Sequence, residues 1–474
     1  MKEKTELSGS VFRYSIGNLF VRALSFILLP FYSNIISAED FGVYAIVMSF
    51  YTVASVFFQF GLHSSFSKFY IEEKDAFEKK KIFNSVINFI SIISFIFSIS
   101  IMLMSGEISK LLFGNFNQYY LIIIIAFALL FDTISYYLLH LLKTIEKSRT
   151  VLIYSSISAL INFILNIVLL YVFNLGISGI ILAQAGASLI LVIMLIPLIT
   201  SEYSFAITKK YLRRLIIFAI PIFAAGIFSS LIDVSDRFIL NHFMDERDVG
   251  VYSFSYRIAL IMNVFVISFR TAWVPRAMNL YVQKEYTSTA GSTLTKIIAA
   301  SGLIFISICL LAQDLFNLQI FGFNFLNKNY LDGIIILPYV LTGYFFSLIG
   351  NFYFLYPYVE EKNYHFLLGD AFSFIVNLGM NFLLIPYLGI KGAGIATMLS
   401  FMFYAFYMYI ISHKKIKVKH NPGLNISIIL TTAIIYFIGI YVNNVFIDIL
   451  LLMTYSVIML KNFKINFKNL FGLS

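Results

Sequence analysis

Residues 213–278 read RRLIIFAIPIFAAGIFSSLIDVSDRFILNHFMDERDVGVYSFSYRIALIMNVFVISFRTAWVPRAM. Two apolar runs, 214–240 and 250–275, flank the acidic turn Asp245-Glu246-Arg247-Asp248. Each is long enough to cross a bilayer as a helix rising about 1.5 Å per residue. Arg237, Arg257 and Arg270 lie inside the runs, where an unpaired cation costs about 2.5–3.5 kcal/mol even on the lenient insertion scale. Arginines in that position need a reason. The stretch also restarts the chain, because Asp248-Val249-Gly250-Val251-Tyr252 replays Asp40-Phe41-Gly42-Val43-Tyr44 at the same place after a long apolar helix. Residues near 210 are therefore the seam between two copies of one unit.

Outward from that seam the repeat stays collinear. Phe113-Gly114 matches Phe321-Gly322, Glu146-Lys147 matches Glu361-Lys362, Asn162 and Asn166 match Asn377 and Asn381, and Leu175-Gly176-Ile177-Ser178-Gly179 matches Leu388-Gly389-Ile390-Lys391-Gly392. Any one match could arise by chance, but their order and nearly constant spacing are harder to dismiss. Each copy holds an even number of spans, so both enter the membrane in the same direction and form a parallel repeat.

Composition agrees. With 60% hydrophobic and 12% charged residues over 474 positions and a mean hydropathy of +0.87, the chain is too apolar for a water-soluble protein. Apolar spans fall near 11–36, 42–67, 82–104, 119–142, 151–173, 177–199, 214–240, 250–275, 294–312, 333–357, 364–387, 392–411, 424–442 and 445–460. The expected fold is all-α and polytopic, with about fourteen transmembrane helices. Two six-helix lobes, residues 1–205 and 206–412, face a central cavity, and 413–474 adds two helices and a tail. The N-terminal span carries Asn18 and Arg22 and lacks a small-residue cleavage site, so it reads as a retained helix rather than a signal peptide. The single cysteine, Cys309, supports neither a disulfide framework nor a cysteine metal site.

Basic residues test the span count independently. With both termini cytoplasmic, inner segments hold 26 of the 34 Lys and Arg and outer loops hold four, Lys110, Arg247, Lys328 and Lys391. A wrong count would scramble this sorting. The net charge of +10 then faces the anionic inner leaflet and does not indicate nucleic-acid binding.

Four arginines and four aspartates (Asp132, Asp233, Asp236, Asp370) remain inside the spans. Mutual pairing could neutralise them, and Arg237 suits that role best, with Asp233 one turn back. Arg22 sits near the middle of helix 1 beside Asn18 and Ser25 at helical spacing, and Arg270 has Asn263 seven residues back. Both form polar stripes that point at protein or water rather than lipid. Arg257 is a third candidate, although it lies roughly 140° around the helix from Arg270. Cations inside a membrane protein suit a passing anion, and guanidinium suits phosphate through its two-pronged donor geometry. His63 and His140, near inner helix ends, could titrate, though a satisfied core histidine is commoner.

The intramembrane arginine of helix 1, the two Asp-x-Gly-x-Tyr starts, Asp236-Arg237-Phe238 before the second of them, and the two Leu-Gly-Ile-x-Gly turns resemble the bacterial polysaccharide-exporter family. That family includes O-antigen (Wzx-type) flippases within the superfamily that also holds multidrug extruders. The resemblance covers about residues 8–412, and the two C-terminal helices depart from the usual twelve. It implies a flippase that moves a polyprenyl-pyrophosphate-linked oligosaccharide, such as an O-antigen, capsule or exopolysaccharide repeat unit, from the cytoplasmic to the outer leaflet by alternating access. Its partners would be that substrate, membrane lipids and other polysaccharide assembly proteins, in the bacterial inner membrane. Candidate substrate contacts are Arg22, Arg270, Arg257, Asn18 and Asn263, with Asp132 and Asp370 for coupling to a proton or sodium gradient. No cofactor, metal or catalytic residue is expected, and no Gly-x-x-x-x-Gly-Lys-Ser/Thr loop for ATP occurs. An ion-coupled drug extruder would want an acidic cavity, which the arginines disfavour. A polysaccharide polymerase or ligase would want a large outer loop, and the longest here is roughly 313–332.

Overall fold

Inside a bilayer the backbone has no water to bond, so each apolar span must satisfy its own amides, and a helix does so within one segment. The computed structural model, which describes residues 24–199, 203–320, 323–362, 364–442 and 444–462, is built accordingly. The first half contains α1 (Leu24–Ile35), α2 (Ala38–Gln59), α3 (Leu62–Glu72), α4 (Ala76–Leu103), α5 (Ser105–Phe113), α6 (Tyr119–Thr144), α7 (Ser148–Ile167, extended by a π turn at Val168–Val172), α8 (Gly176–Leu195) and α9 (Lys209–Phe243). The second contains α10 (Glu246–Val282), α11 (Tyr286–Asn317), α12 (Leu337–Phe352), α13 (Leu355–Val359), α14 (Tyr364–His413), α15 (Pro422–Val442) and α16 (Val445–Asn462). The β-structure among the described residues is a two-residue pairing, Gln319–Ile320 with Phe323–Asn324, in the loop after α11.

Twelve described helical stretches are long and apolar enough to cross a membrane. Two of the expected fourteen spans are merged or truncated in that number. The first is represented by Leu24–Ile35, and α14 holds two spans joined at Gly389. Large apolar side chains stand exposed along the helices, among them Leu103 (83%), Tyr387 (86%) and Phe446 (83%), a surface that belongs in lipid. The protein is a multi-pass membrane protein.

The chain forms two compact units, 1–241 and 242–474. In the first, α6 packs on α4 and α8, around a core that includes Leu62, Phe66, Ile82, Phe83, Leu138 and Leu195. Helix α9 falls with this unit although the repeat counts it in the second copy, and the connector before it explains why. Asn88 Nδ2 donates to the Ser204 carbonyl (2.9 Å), Tyr203 Oη donates to Asn88 Oδ1 (2.8 Å), and the amides of Ser204 and Thr208 donate to Asn84 Oδ1 and Ser85 Oγ (both 2.9 Å). Four polar side-chain contacts therefore strap the connector to α4. Arg214 then stacks over Phe69 (4.1 Å) and Phe223 on Phe60 (4.9 Å). In the second unit α12 packs on α14, and α11 carries the C-terminal hairpin α15–α16. Thr295 Oγ1 donates to Asn425 Oδ1 (2.7 Å) and Tyr455 Oη to the Ala299 carbonyl (3.0 Å).

The internal repeat is written in local geometry. Ser37 caps α2 by accepting from the Asp40 amide (3.0 Å), and Asp245 caps α10 by accepting from the Asp248 amide (2.9 Å). Glu146 (φ 60°) and Glu361 (φ 55°) both adopt the left-handed conformation. Each is followed by the same closing bond, Lys147 N to Leu142 O (2.9 Å) and Lys362 N to Pro357 O (2.8 Å), a helix-ending pattern. Gly176 (φ 53°) and Gly389 (φ 54°) occupy equivalent left-handed turns, where a Cβ would be strained.

Candidate functional site

Asp132 is the one acid of α6, set in the run LLFDTISYY. A carboxylate there must find donors or lose its charge. It finds three. Tyr51 Oη from α2 donates to Oδ2, Ser188 Oγ from α8 donates to Oδ1, and Gln184 Nε2, one turn before Ser188, reaches Oδ1 at 3.2 Å and Oδ2 at 3.0 Å. Because an ionised carboxylate only accepts, Gln184 must turn its amide nitrogen toward it and its oxygen away. That oxygen accepts from Asn162 Nδ2 (3.3 Å), Asn162 Oδ1 accepts from Asn166 Nδ2 (3.1 Å), and Asn166 Oδ1 accepts from Tyr32 Oη (2.9 Å). The result is a one-way chain of donors from α1 through α7 and α8 into the carboxylate on α6. Among the described residues neither lysine nor arginine joins it. Sequence reading singled out Asp132, Asn162 and Asn166 but not Tyr32, Tyr51, Gln184 or Ser188. A glutamine four residues before a serine inside an apolar helix was the available signal.

In the second unit Arg270 on α10 is exposed, and Asp370 on the first arm of α14 lies close enough to feel its charge. Tyr404, on the arm beyond Gly389, lies within the same electrostatic neighbourhood. Its ring packs where side chains at Gly350 and Gly369 would stand, which lets α12 and both arms of α14 approach closely. Thus Arg270 and Asp370 are neighbours rather than separate features, without forming an ion pair among the described residues. Arg257 is half-buried and engaged, and Asn263 is half-buried. Arg22 and Asn18 lie outside the described residues. Arg237, in the first unit, pairs through Nη1 with Asp236 Oδ1 (2.8 Å) and donates to the Asp233 carbonyl (2.5 Å), so its near carboxylate is the adjacent Asp236. No group of three or more His, Cys, Asp or Glu among the described residues is arranged to hold a metal ion.

A family model described as polysaccharide biosynthesis protein matches residues 8–281. The chain belongs to that family. No curated protein matches it by sequence. Among solved structures, this polysaccharide biosynthesis protein is similar to a lipid II flippase MurJ in an inward closed conformation, with a TM-score of 0.76 at 19% identity over 95% of this chain and 99% of that one. An inward-facing multidrug resistance MATE family transporter of the MOP superfamily gives 0.67 at 14% identity, over 86% and 98% of the two chains. A MOP superfamily transporter from Pyrococcus furiosus gives 0.59 at 14% identity, over 86% and 95%. The fold is thus the two-lobed one of MOP transporters. On that fold this family member presents, in one unit, a carboxylate with three donors and no cation among the described residues, and, in the other, an exposed arginine beside a carboxylate. The first suits a proton or a small cation, and the second suits an anionic group that offers two oxygens to the planar guanidinium.

Proposed function

We propose that the protein flips a polyprenyl-pyrophosphate-linked oligosaccharide, an O-antigen, capsule or exopolysaccharide repeat unit, from the cytoplasmic to the outer leaflet by alternating access. The observation that carries this reading is Arg270, an exposed guanidinium inside an apolar span of a polysaccharide biosynthesis family member. An exposed arginine at that depth is stabilised by an anionic ligand, and a pyrophosphate supplies two phosphates to its fork. Arg270 is the first candidate contact, with Arg257 and Asn263 on the same helix and Arg22 and Asn18 in the first apolar stretch of the sequence. The reading includes an inner-membrane location, both termini cytoplasmic, and two six-helix copies over 1–205 and 206–412. Asp132 is the first candidate coupling acid, and Asp370, beside Arg270, is the second.

Deleting the gene tests this. Polyprenyl-linked oligosaccharide should accumulate with its sugar on the cytoplasmic side while surface polysaccharide disappears. Unchanged surface polysaccharide and no such accumulation would end the reading. One observation favours a second reading: a carboxylate inside an apolar helix, without a cation among the described residues, would also attract an organic cation, as a drug extruder requires. Hypersensitivity of the deletion strain to cationic drugs with normal polysaccharide would favour it.

A further inference from the structure

Along α6, residues Asp132, Tyr136, His140 and Thr144 recur at every fourth position, so they form one stripe that descends from mid-helix to the end bearing the exposed Lys143. The fall from Asp132 to His140 is about 12 Å and to Thr144 about 18 Å. The structure fills the lower part with polar side chains in contact. Tyr136 stacks on the His140 ring (5.9 Å, 17°), and His63 from α3 stands edge-on to both rings (5.9 and 5.8 Å). His140 Nε2 lies 2.9 Å from the His63 carbonyl and 2.8 Å from Ser67 Oγ, and Ser67 Oγ lies 3.0 Å from Thr144 Oγ1. A carbonyl can only accept, so Nε2 of the neutral ring carries the proton and Nδ1 holds the lone pair. His63 Nδ1 is buried without a hydrogen-bond partner among the described residues, an unfavourable arrangement that a proton or a water would relieve. The groups facing the imidazoles are Tyr136, Lys143 and Thr144 of α6 and Ser67 of α3. Those facing Asp132 are Tyr51, Gln184 and Ser188, and no carboxylate faces either imidazole among the described residues.

We infer that this stripe is a proton-transfer path between Asp132 and the α6 end that carries Lys143, the cytoplasmic end under the proposed topology. The inference rests on the flippase reading only for its purpose, since it names the proton as the coupling ion. A proton leaving the Asp132 carboxyl passes by the Tyr136 hydroxyl and water to His140 Nδ1, making an imidazolium. The imidazolium gives its Nε2 proton to Ser67 Oγ, whose own proton leaves through Thr144 to bulk water. Asp132 thereby passes from the carboxyl to the carboxylate that accepts from Tyr51, Gln184 and Ser188, bulk water gains the proton, and the relay side chains return to their starting states after the ring resets. A purely structural pair of histidines would explain the bonds to Ser67 and the His63 carbonyl. It would not explain the alignment of Tyr136, His140 and Thr144 with Asp132 along one stripe of α6. Acid and histidine chains inside membrane helices are suited to this work.

The test uses the full-length protein in liposomes on a solid-supported membrane, without lipid-linked substrate, and reads the transient current after a pH jump. Wild type should give a protein-dependent charge movement that Asp132→Asn abolishes. His140→Gln keeps a donor toward the His63 carbonyl but cannot titrate. It should slow the current driven from the cytoplasmic face by roughly a hundredfold, the scale of a lost general acid–base group. Ser67→Ala should slow it in the same direction, and free imidazole should restore His140→Ala. Equal rates in wild type and His140→Gln, no rescue by imidazole, or no protein-dependent current in wild type would overturn the inference. Because the current needs no oligosaccharide, its presence with normal surface polysaccharide in the deletion strain would sink the flippase reading alone.

Discussion

Arg270 and Asp132 are opposite solvation problems. The arginine is exposed inside an apolar span with Asp370 near but not in contact, whereas the aspartate is enclosed by three donors and, among the described residues, no cation. For Arg270 the expected effect is on transport. Arg270→Ala should leave abundance and melting temperature near wild type, because little packs on an exposed side chain. It should weaken the substrate by about 1.5–3 kcal/mol, roughly ten- to 150-fold in apparent affinity, as a charge-assisted bond is lost. Arg270→Lys keeps the charge without the fork and should retain partial export. Normal surface polysaccharide in the alanine strain would remove Arg270 from the site. For the Asp132 network the expected effect is on stability. Gln184→Leu strips a donor from both carboxylate oxygens and strands the Asn162 amide, so it should cost about 1–3 kcal/mol in melting experiments. Tyr51→Phe removes one donor and strands nothing upstream, so it should cost less. The reverse order would contradict the one-way donor chain.

At the level of elements, the two equivalent glycine turns can be separated from packing. A Cβ at Gly176 meets nothing within 4 Å, and at Gly389 it touches only the flexible end of Met244 at 3.3 Å. Both have φ near +53° to +54°. Gly176→Ala and Gly389→Ala should therefore destabilise through the backbone alone, by about 1–2 kcal/mol each. Gly379 lies in the helical part of α14 with open space at its Cβ, so Gly379→Ala should stabilise by up to about 1 kcal/mol. Melting of the three variants in one detergent checks the pattern, and equal losses at all three positions would refute it. These turns were legible in the sequence because a glycine between two apolar runs is a local signal. The Asn162–Asn166 and Asn377–Asn381 pairs were legible for the same reason, and both form the same bond one turn apart (3.1 and 2.9 Å). What a donor on one helix meets on another is not local. Tyr51 stands 81 residues from Asp132 and Tyr32 stands 134 from Asn166, so those partners emerged only with the fold.

For the whole molecule, hydropathy and the repeat are sufficient to count spans, because each helix is a continuous apolar run. They do not fix the compact units, since α9 joins the first through Asn84, Ser85 and Asn88, polar residues whose role depends on a connector far along the chain. Nor are the copies chemically equal. The repeat spacing puts the counterpart of Asp132 among residues 340–347, VLTGYFFS, which hold no charge, while Arg257 and Arg270 have no arginine partners in α2. Orientation remains a matter of charge sorting, and it can be tested directly because Cys309 is buried and gives a quiet background for single introduced cysteines. Cysteines at positions 40, 245 and 391 should react with a membrane-impermeant maleimide from outside, whereas those at 79, 210 and 415 should react only after permeabilisation. The position at 415 decides most. It lies between the end of α14 and the start of α15, so it reports whether Gly389 divides α14 into two crossings. A single crossing there would send residue 415 and every later loop to the opposite face, and outside labelling at 415 with protection at 79 would overturn the fourteen-span topology while leaving the first six helices in place.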